Sequence, residues 1–335
     1  MNTNSTVNNQ LLQGIESADP EMIQQALDNG ASPNTKFNPD WDWNVLDRAI
    51  HLGNITIIEK LLDAGADVNH LDIQKENCLF RAINLNNLYL IKKIVEKGVN
   101  INQESVDQQL TPICIALINR NLPIVKYLAE QGAKINPHEP DSSVPFSLII
   151  DNTQNDEDIS LHLDFLIEAG LDVNAQDYRG WTALMKAIKK GMKKTVYHLI
   201  LKGTDVNLQA VDGNNPVFEA ALKSDIEFLE IILNAGGNPE NSLPSGFSPL
   251  MAACKMGIID SCKVLLDAGA DINKKDGSGL TPLMYAATSN SNIVKMLISR
   301  GAEATVKCNQ GKTALDYAKE FINEDSYPEF ERILS

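Results

Sequence analysis

The chain has 335 residues, 44 of them Asp or Glu and 29 Lys or Arg, for a formal net charge of −15. That balance excludes a nucleic-acid backbone as the main partner, because phosphate binding needs a basic footprint, and it disfavours an anionic membrane. Cys78, Cys114, Cys254, Cys262 and Cys308 lack disulfide-like or metal-like spacing, and neither a secretory signal nor an apolar run near eighteen residues is present. The expected compartment is therefore reducing and cytoplasmic.

In chain order, residues 1–9 are rich in Asn, Thr and Ser with nothing to bury, and are expected to be disordered. Residues 10–40 form an atypical first unit, a helix pair whose second helix opens at Asp19-Pro20. From 41 to 308 one pattern recurs eight times. Each unit ends on an apolar pair and a glycine, as in Leu61-Leu62-Asp63-Ala64-Gly65, followed by Asp-Val-Asn or a variant of it. The leading glycines are Gly30, Gly65, Gly98, Gly132, Gly170, Gly203, Gly236, Gly269 and Gly301. Their separations run from 32 (Gly269 to Gly301) to 38 (Gly132 to Gly170), a period that belongs to one stacked supersecondary unit. A glycine there suits the left-handed residue that ends a helix.

A second motif keeps step with the first: Thr281-Pro282-Leu283-Met284-Tyr285-Ala286, Ser248-Pro249-Leu250, Thr182-Ala183-Leu184 and Thr313-Ala314-Leu315, with eroded copies at Asn44, Asn77, Thr111, Val144 and Asn215. A Thr, Ser or Asn oxygen can accept from orphan N–H groups at a helix start, and Pro in the next position loses no hydrogen bond. The acidic stretch near 151–160 lengthens the fifth unit. It lacks the Gly and Glu that a calcium loop requires at its sixth and twelfth places. Residues 309–335 close the array, with Glu324, Asp325, Glu329 and Glu331 interrupting Phe321, Ile322, Phe330 and Leu334 to give the wet outer face of a terminal repeat.

The two motifs, their order and their period resemble the ankyrin repeat family over nearly the whole chain. The resemblance implies an all-α solenoid of about ten antiparallel helix pairs with short hairpin-like fingers, a single repeat domain over 10–335. It also implies a protein-binding role without catalysis, carried by a concave face and a row of finger tips.

The residues agree with that implication. His51, His70, His138, His162 and His198 fall in different units and form no zinc motif, and no phosphate-binding glycine pattern appears, so neither a metal nor a cofactor is expected. Cys78 and Cys254 read as small core residues. In the family the residue just before the second motif lies near the finger tip; here that column reads Trp43, Glu76, Leu110, Ser143, Trp181, Asn214, Phe247, Leu280 and Lys312. All three tryptophans lie on fingers: Trp41 and Trp43 on one, and Trp181 with Tyr178 on another. Such rings either anchor a partner or lie flat against the neighbouring finger. Strand-like alternation would set Trp41 and Trp43 on one face and Asp40 and Asp42 on the other, a finger suited to a cationic or amphipathic guest. Against the acidic background, Lys186, Lys189, Lys190, Lys193 and Lys194 crowd one inter-helix turn, either as a solvated turn or as a docking spot for an acidic segment.

The candidate partner-binding residues are thus Trp41, Trp43, Tyr178, Trp181, Phe247, Leu110, Leu280, Lys189 and Lys190, on a monomeric scaffold that binds another protein or peptide. A second reading is an effector that a bacterium secretes into the host cytosol and that captures a host protein through the same surface. A third, an enzyme with an unrecognised site, lacks any convergence of acid, base and nucleophile.

Overall fold

The computed structural model describes residues 3–38, 40–106, 110–135, 144–154, 159–223 and 225–335. It divides into two compact units, Met1–Glu139 and Pro140–Ser335. The first contains α1 (Thr3–Glu16), α2 (Pro20–Asp28), α3 (Val45–Leu52), α4 (Ile55–Asp63), α5 (Cys78–Asn84), α6 (Leu88–Glu96), α7 (Pro112–Ile118) and α8 (Leu122–Glu130). The second contains α9 (Val144–Asn152), α10 (Ser160–Glu168), α11 (Ala183–Lys190), α12 (Lys193–Leu201), α13 (Pro216–Ala221), α14 (Glu227–Asn234), α15 (Pro249–Met256), α16 (Ile259–Asp267), α17 (Pro282–Ala286), α18 (Ser291–Ser299), α19 (Ala314–Phe321) and α20 (Tyr327–Leu334). Odd-numbered inner helices pair with the even-numbered outer helices that follow them, and within each unit neighbouring inner helices pack on one another. The fold is an all-α repeat array. The one sheet among the described residues is a two-stranded ribbon, β1 (Lys36–Asn38) with β2 (Trp43–Asn44).

The inner helices start where the second motif starts because its first residue caps them. Thr182 Oγ1 accepts from Met185 N–H at 3.3 Å, Thr281 Oγ1 from Met284 at 3.4 Å, and Asn215 Oδ1 from Phe218 at 3.0 Å. The eroded Asn copies therefore cap as well as the Thr ones. Among the Thr, Ser and Asn copies Thr111 is the exception: its hydroxyl lies 3.3 Å from Cys114 Sγ and makes no cap bond. Behind the cap, apolar side chains at helical spacing go into the core, as with Leu184, Met185, Ala187 and Ile188 of α11, each worth about 1–3 kcal/mol of burial. The outer helices end on the glycines of the first motif, all with φ between +81° and +96°.

Neighbouring repeats are clamped through the Asn of Asp-x-Asn. The Asn69 amide accepts from Asn100 N–H at 2.6 Å and donates to the Gly98 carbonyl at 3.1 Å. Asn207 does the same with Asn238 N–H and the Gly236 carbonyl, at 2.8 and 3.0 Å. Each such Asn satisfies the backbone of the following repeat while the Asp before it closes the local turn, as Asp205 does for Asn207 N–H at 2.8 Å.

At the N-terminus, the segment expected to be disordered is helical from Thr3. Leu11 and Ile15 of α1 are fully buried, and Asn8 Oδ1 accepts from Ser32 N–H at 3.0 Å. The helix thus propagates outward from a packed anchor despite a polar composition. The acidic insertion is described at Asp151–Gln154 and from Ile159 onward; its centre lies outside the described residues.

Candidate functional site

The fingers share one construction. A main-chain hydrogen bond crosses each: Asp72 N–H to the Glu76 carbonyl at 3.1 Å, Asp177 to Trp181 at 3.0 Å, Ala210 to Asn214 at 2.7 Å, Leu243 to Phe247 at 3.0 Å and Asp276 to Leu280 at 3.0 Å. The tip is turned by a residue of positive φ, such as Gly180 (+78°) and Gly213 (+82°). Glycine is required there for space as well as conformation: a Cβ on Gly180 would stand 2.8 Å from Ala210 Cα, and one on Gly213 2.4 Å from Pro244 Cδ. Fingers are also joined to each other through main chain, Val211 N–H donating to the Arg179 carbonyl at 2.8 Å, Val106 to Gln74 at 2.8 Å and Gly277 to Ser245 at 2.7 Å.

This geometry separates two columns. The residue immediately before the cap is half-buried at every described finger: Trp43, Glu76, Leu110, Trp181, Asn214, Phe247, Leu280 and Lys312. Four positions before the cap, Ile73, Tyr178, Val211, Pro244, Gly277 and Asn309 are all exposed. The finger tip belongs to the second column.

The half-buried rings are engaged with their own chain. Phe247 lies 5.0 Å edge-on to Tyr285 and 6.1 Å from Phe218, bridging the inner helices on either side of it. Leu280 lines a cavity of about 270 Å³ with Met284, Tyr285, Tyr317 and Phe321. Leu110 closes its finger, its carbonyl accepting from Ser105 N–H at 2.9 Å. Trp43 packs 5.2 Å from the His51 ring and carries the Arg81 guanidinium 4.7 Å above its face. Arg81 is itself held by Asp47, at 3.3 Å, and by Asp72. Burial raises the Asp47 pKa, and Arg81 only partly opposes that.

The expected alternation on the first finger is not observed. Asp42 has φ +52°, which breaks the extended run between the two tryptophans and leaves Trp41 52% exposed while Trp43 is covered. The Asp42 carboxylate pairs with Lys36 at 2.6 Å. The carboxylate and ring face that a cationic guest would need are thus both occupied from within.

In the second unit the structure brings together Tyr178, Trp181, Lys189 and Lys190. They line an open concavity of about 1050 Å³ together with Asp151, Asp177, Arg179, Lys186, Val211 and Asp212. Tyr178 and Val211 are each 79% exposed on adjacent tips. Lys189 Nζ stands 4.5 Å over the Trp181 ring, and the Arg179 guanidinium 5.2 Å over that of Tyr178. The other lysines of the cluster have local partners. Lys186 pairs with Asp177 at 3.2 Å and Asp151 at 3.4 Å. Lys193 donates to Asp225 at 2.7 Å and Glu227 at 2.5 Å, and these two contacts raise its pKa. Lys190 donates to the carbonyls of Ile150, Asp151 and Thr153 at 2.9, 2.7 and 3.0 Å. It therefore closes the C-terminus of α9 instead of presenting its ammonium to a guest. Lys223 repeats the device one repeat on, reaching the Lys189 carbonyl at 2.5 Å.

Among the described residues no group of three or more His, Cys, Asp or Glu could hold a metal ion, and no helix is long and apolar enough to cross a membrane. All five cysteines are buried thiols. Burial pushes the Cys78 and Cys114 pKa values up, away from the reactive thiolate.

Family models for ankyrin repeats match residues 46–139 and 189–276 (described as three copies), and 153–200 and 265–318 (described as many copies). The chain belongs to the ankyrin repeat family. No curated protein matches it significantly. Ankyrin repeats are in general protein–protein interaction modules. The family pattern sets the tip immediately before the cap; the structure sets it four residues earlier, where Ile73 and Val211 are exposed beside the predicted Tyr178. Counting four back from each cap would have found Ile73 and Val211, as it does Tyr178.

Proposed function

We propose that this ankyrin array is a non-catalytic interaction module whose partner, a protein or peptide, binds the concavity of the second unit. The observation that carries the reading is the conjunction of Tyr178 and Val211, both exposed on adjacent tips, with Trp181, Arg179 and Lys189 around one open recess. Large rings and an aliphatic side chain on a stiff frame supply contact area with little ordering cost. The backbone bond between the two tips, Val211 N–H to the Arg179 carbonyl, keeps that frame in place without a partner.

Affinity capture with the wild-type chain beside a Tyr178→Ala, Val211→Ala variant, both verified as folded by circular dichroism, tests the reading. A protein retained by the wild type and lost by the variant is the expected result. Equal capture by both would move the binding surface away from these tips.

A further inference from the structure

We infer that the segment accepted by the concavity is acidic, with an apolar residue beside its carboxylates. This rests on the reading of that concavity as the partner site and adds the chemistry of the occupant.

The argument is one of charge left over once internal partners are assigned. Seven ionisable side chains other than tyrosine line the recess: Arg179, Lys186, Lys189 and Lys190 against Asp151, Asp177 and Asp212. Lys186 serves both Asp151 and Asp177, and Asp177 is further occupied by the N–H groups of Arg179 and Trp181, each at 2.9 Å. Asp212 accepts from Asn214 N–H at 3.0 Å. Lys190 is spent on carbonyls of α9. Among the described residues, Arg179 and Lys189 have no carboxylate partner; each rests on a ring face instead. Lys223 lies against the Lys189 carbonyl and extends the same edge. In a chain of net charge −15, the cations of this recess exceed its carboxylates by one, and Arg179 and Lys189 are the two that no described carboxylate pairs. The ring contacts hold both cations at the edge of the recess, where an incoming carboxylate forms charge-assisted hydrogen bonds with groups whose position is already set.

Two further features select a peptide. Tyr178 and Val211 form an apolar lip beside the cations, which an aliphatic or aromatic side chain would cover. Asp212, the lining carboxylate without a cation partner among the described residues, disfavours a continuous run of negative charge, whereas a peptide can space two carboxylates to meet Arg179 and Lys189.

Random peptides displayed on phage and selected on the full-length chain give the test, with recovery compared on an Arg179→Gln, Lys189→Gln variant and on a Tyr178→Ser, Val211→Ser variant, each shown to be folded. The expected pool is enriched in Asp and Glu next to an apolar residue, and its recovery falls at least about tenfold on either variant. It falls also when salt is raised toward a Debye length of about 3 Å. Enriched peptides that require Tyr178 and Val211 but carry no acid would overturn the inference and leave the site standing. A pool indifferent to both variants, or no enrichment, would remove the inference and the site together.

Discussion

At the end of α11, Lys190 donates to three carbonyls of the preceding repeat, while its neighbour Lys189 lies over the Trp181 ring. Lys190→Ala should therefore cost about 1–3 kcal/mol of stability by leaving those carbonyls without their charged donor. Lys189→Ala should stay within about 0.5 kcal/mol, as a surface change does. Urea unfolding of the two variants checks the contrast, and equal losses would contradict it. The cluster was visible in the sequence, but this division of labour was not, because it depends on contacts to residues about a repeat earlier. A second residue-scale case concerns Lys75, which turns its finger at φ +57° where fingers of the second unit use Gly180, Gly213, Gly246, Gly279 and Gly311. Relief of the Cβ penalty makes Lys75→Gly stabilising, by up to about 1 kcal/mol, measured as a rise in denaturation midpoint. Gly180→Ala should act in the opposite direction, since the added methyl meets the backbone of Ala210.

Helices and their caps were the most legible elements, since a cap, a following Pro and a terminal glycine act within one turn of chain. The erosion of Thr to Asn cost nothing in function, because either oxygen reaches the same N–H groups. Finger geometry was less legible: a column can be counted from sequence, but which column projects depends on main-chain bonds between one finger and the next. The role of the Asp-x-Asn asparagines was legible only in part, for the turn they close is local and the clamp they make is not. Asn207→Ala should lose about 1 kcal/mol, because the exposed Asn238 N–H and Gly236 carbonyl would exchange a fixed partner for water. Asp205→Ala, which opens only the local turn, should lose less. A larger loss for Asp205 in equilibrium unfolding would show that the turn, not the clamp, joins the repeats.

For the molecule as a whole, the tryptophans provide a built-in partition: Trp41 and Trp43 report on the unit 1–139, and Trp181 on the unit 140–335. Stability in repeat arrays is a sum of local and nearest-neighbour terms, so damage in one repeat need not be shared along the chain. Arg81→Ala strands the buried Asp47 and exposes one face of Trp43, a loss of about 3–5 kcal/mol for a broken buried pair. In that background the urea midpoint read by Trp41 and Trp43, with Trp181→Phe, should fall well below the midpoint read by Trp181 alone. Coincident midpoints would mean that the chain unfolds in a single cooperative step.

The tips are joined to one another by backbone, as Val211 N–H to the Arg179 carbonyl and Gly277 N–H to the Ser245 carbonyl illustrate, while at the described fingers Ile73, Tyr178 and Val211, four places before the cap, stand in solvent. Each of these side chains is carried on a turn whose main chain is held by its neighbours. Selection can rewrite Ile73, Tyr178 or Val211 one codon at a time, and descendants of this chain can diverge in what they recognise while inheriting an unchanged architecture.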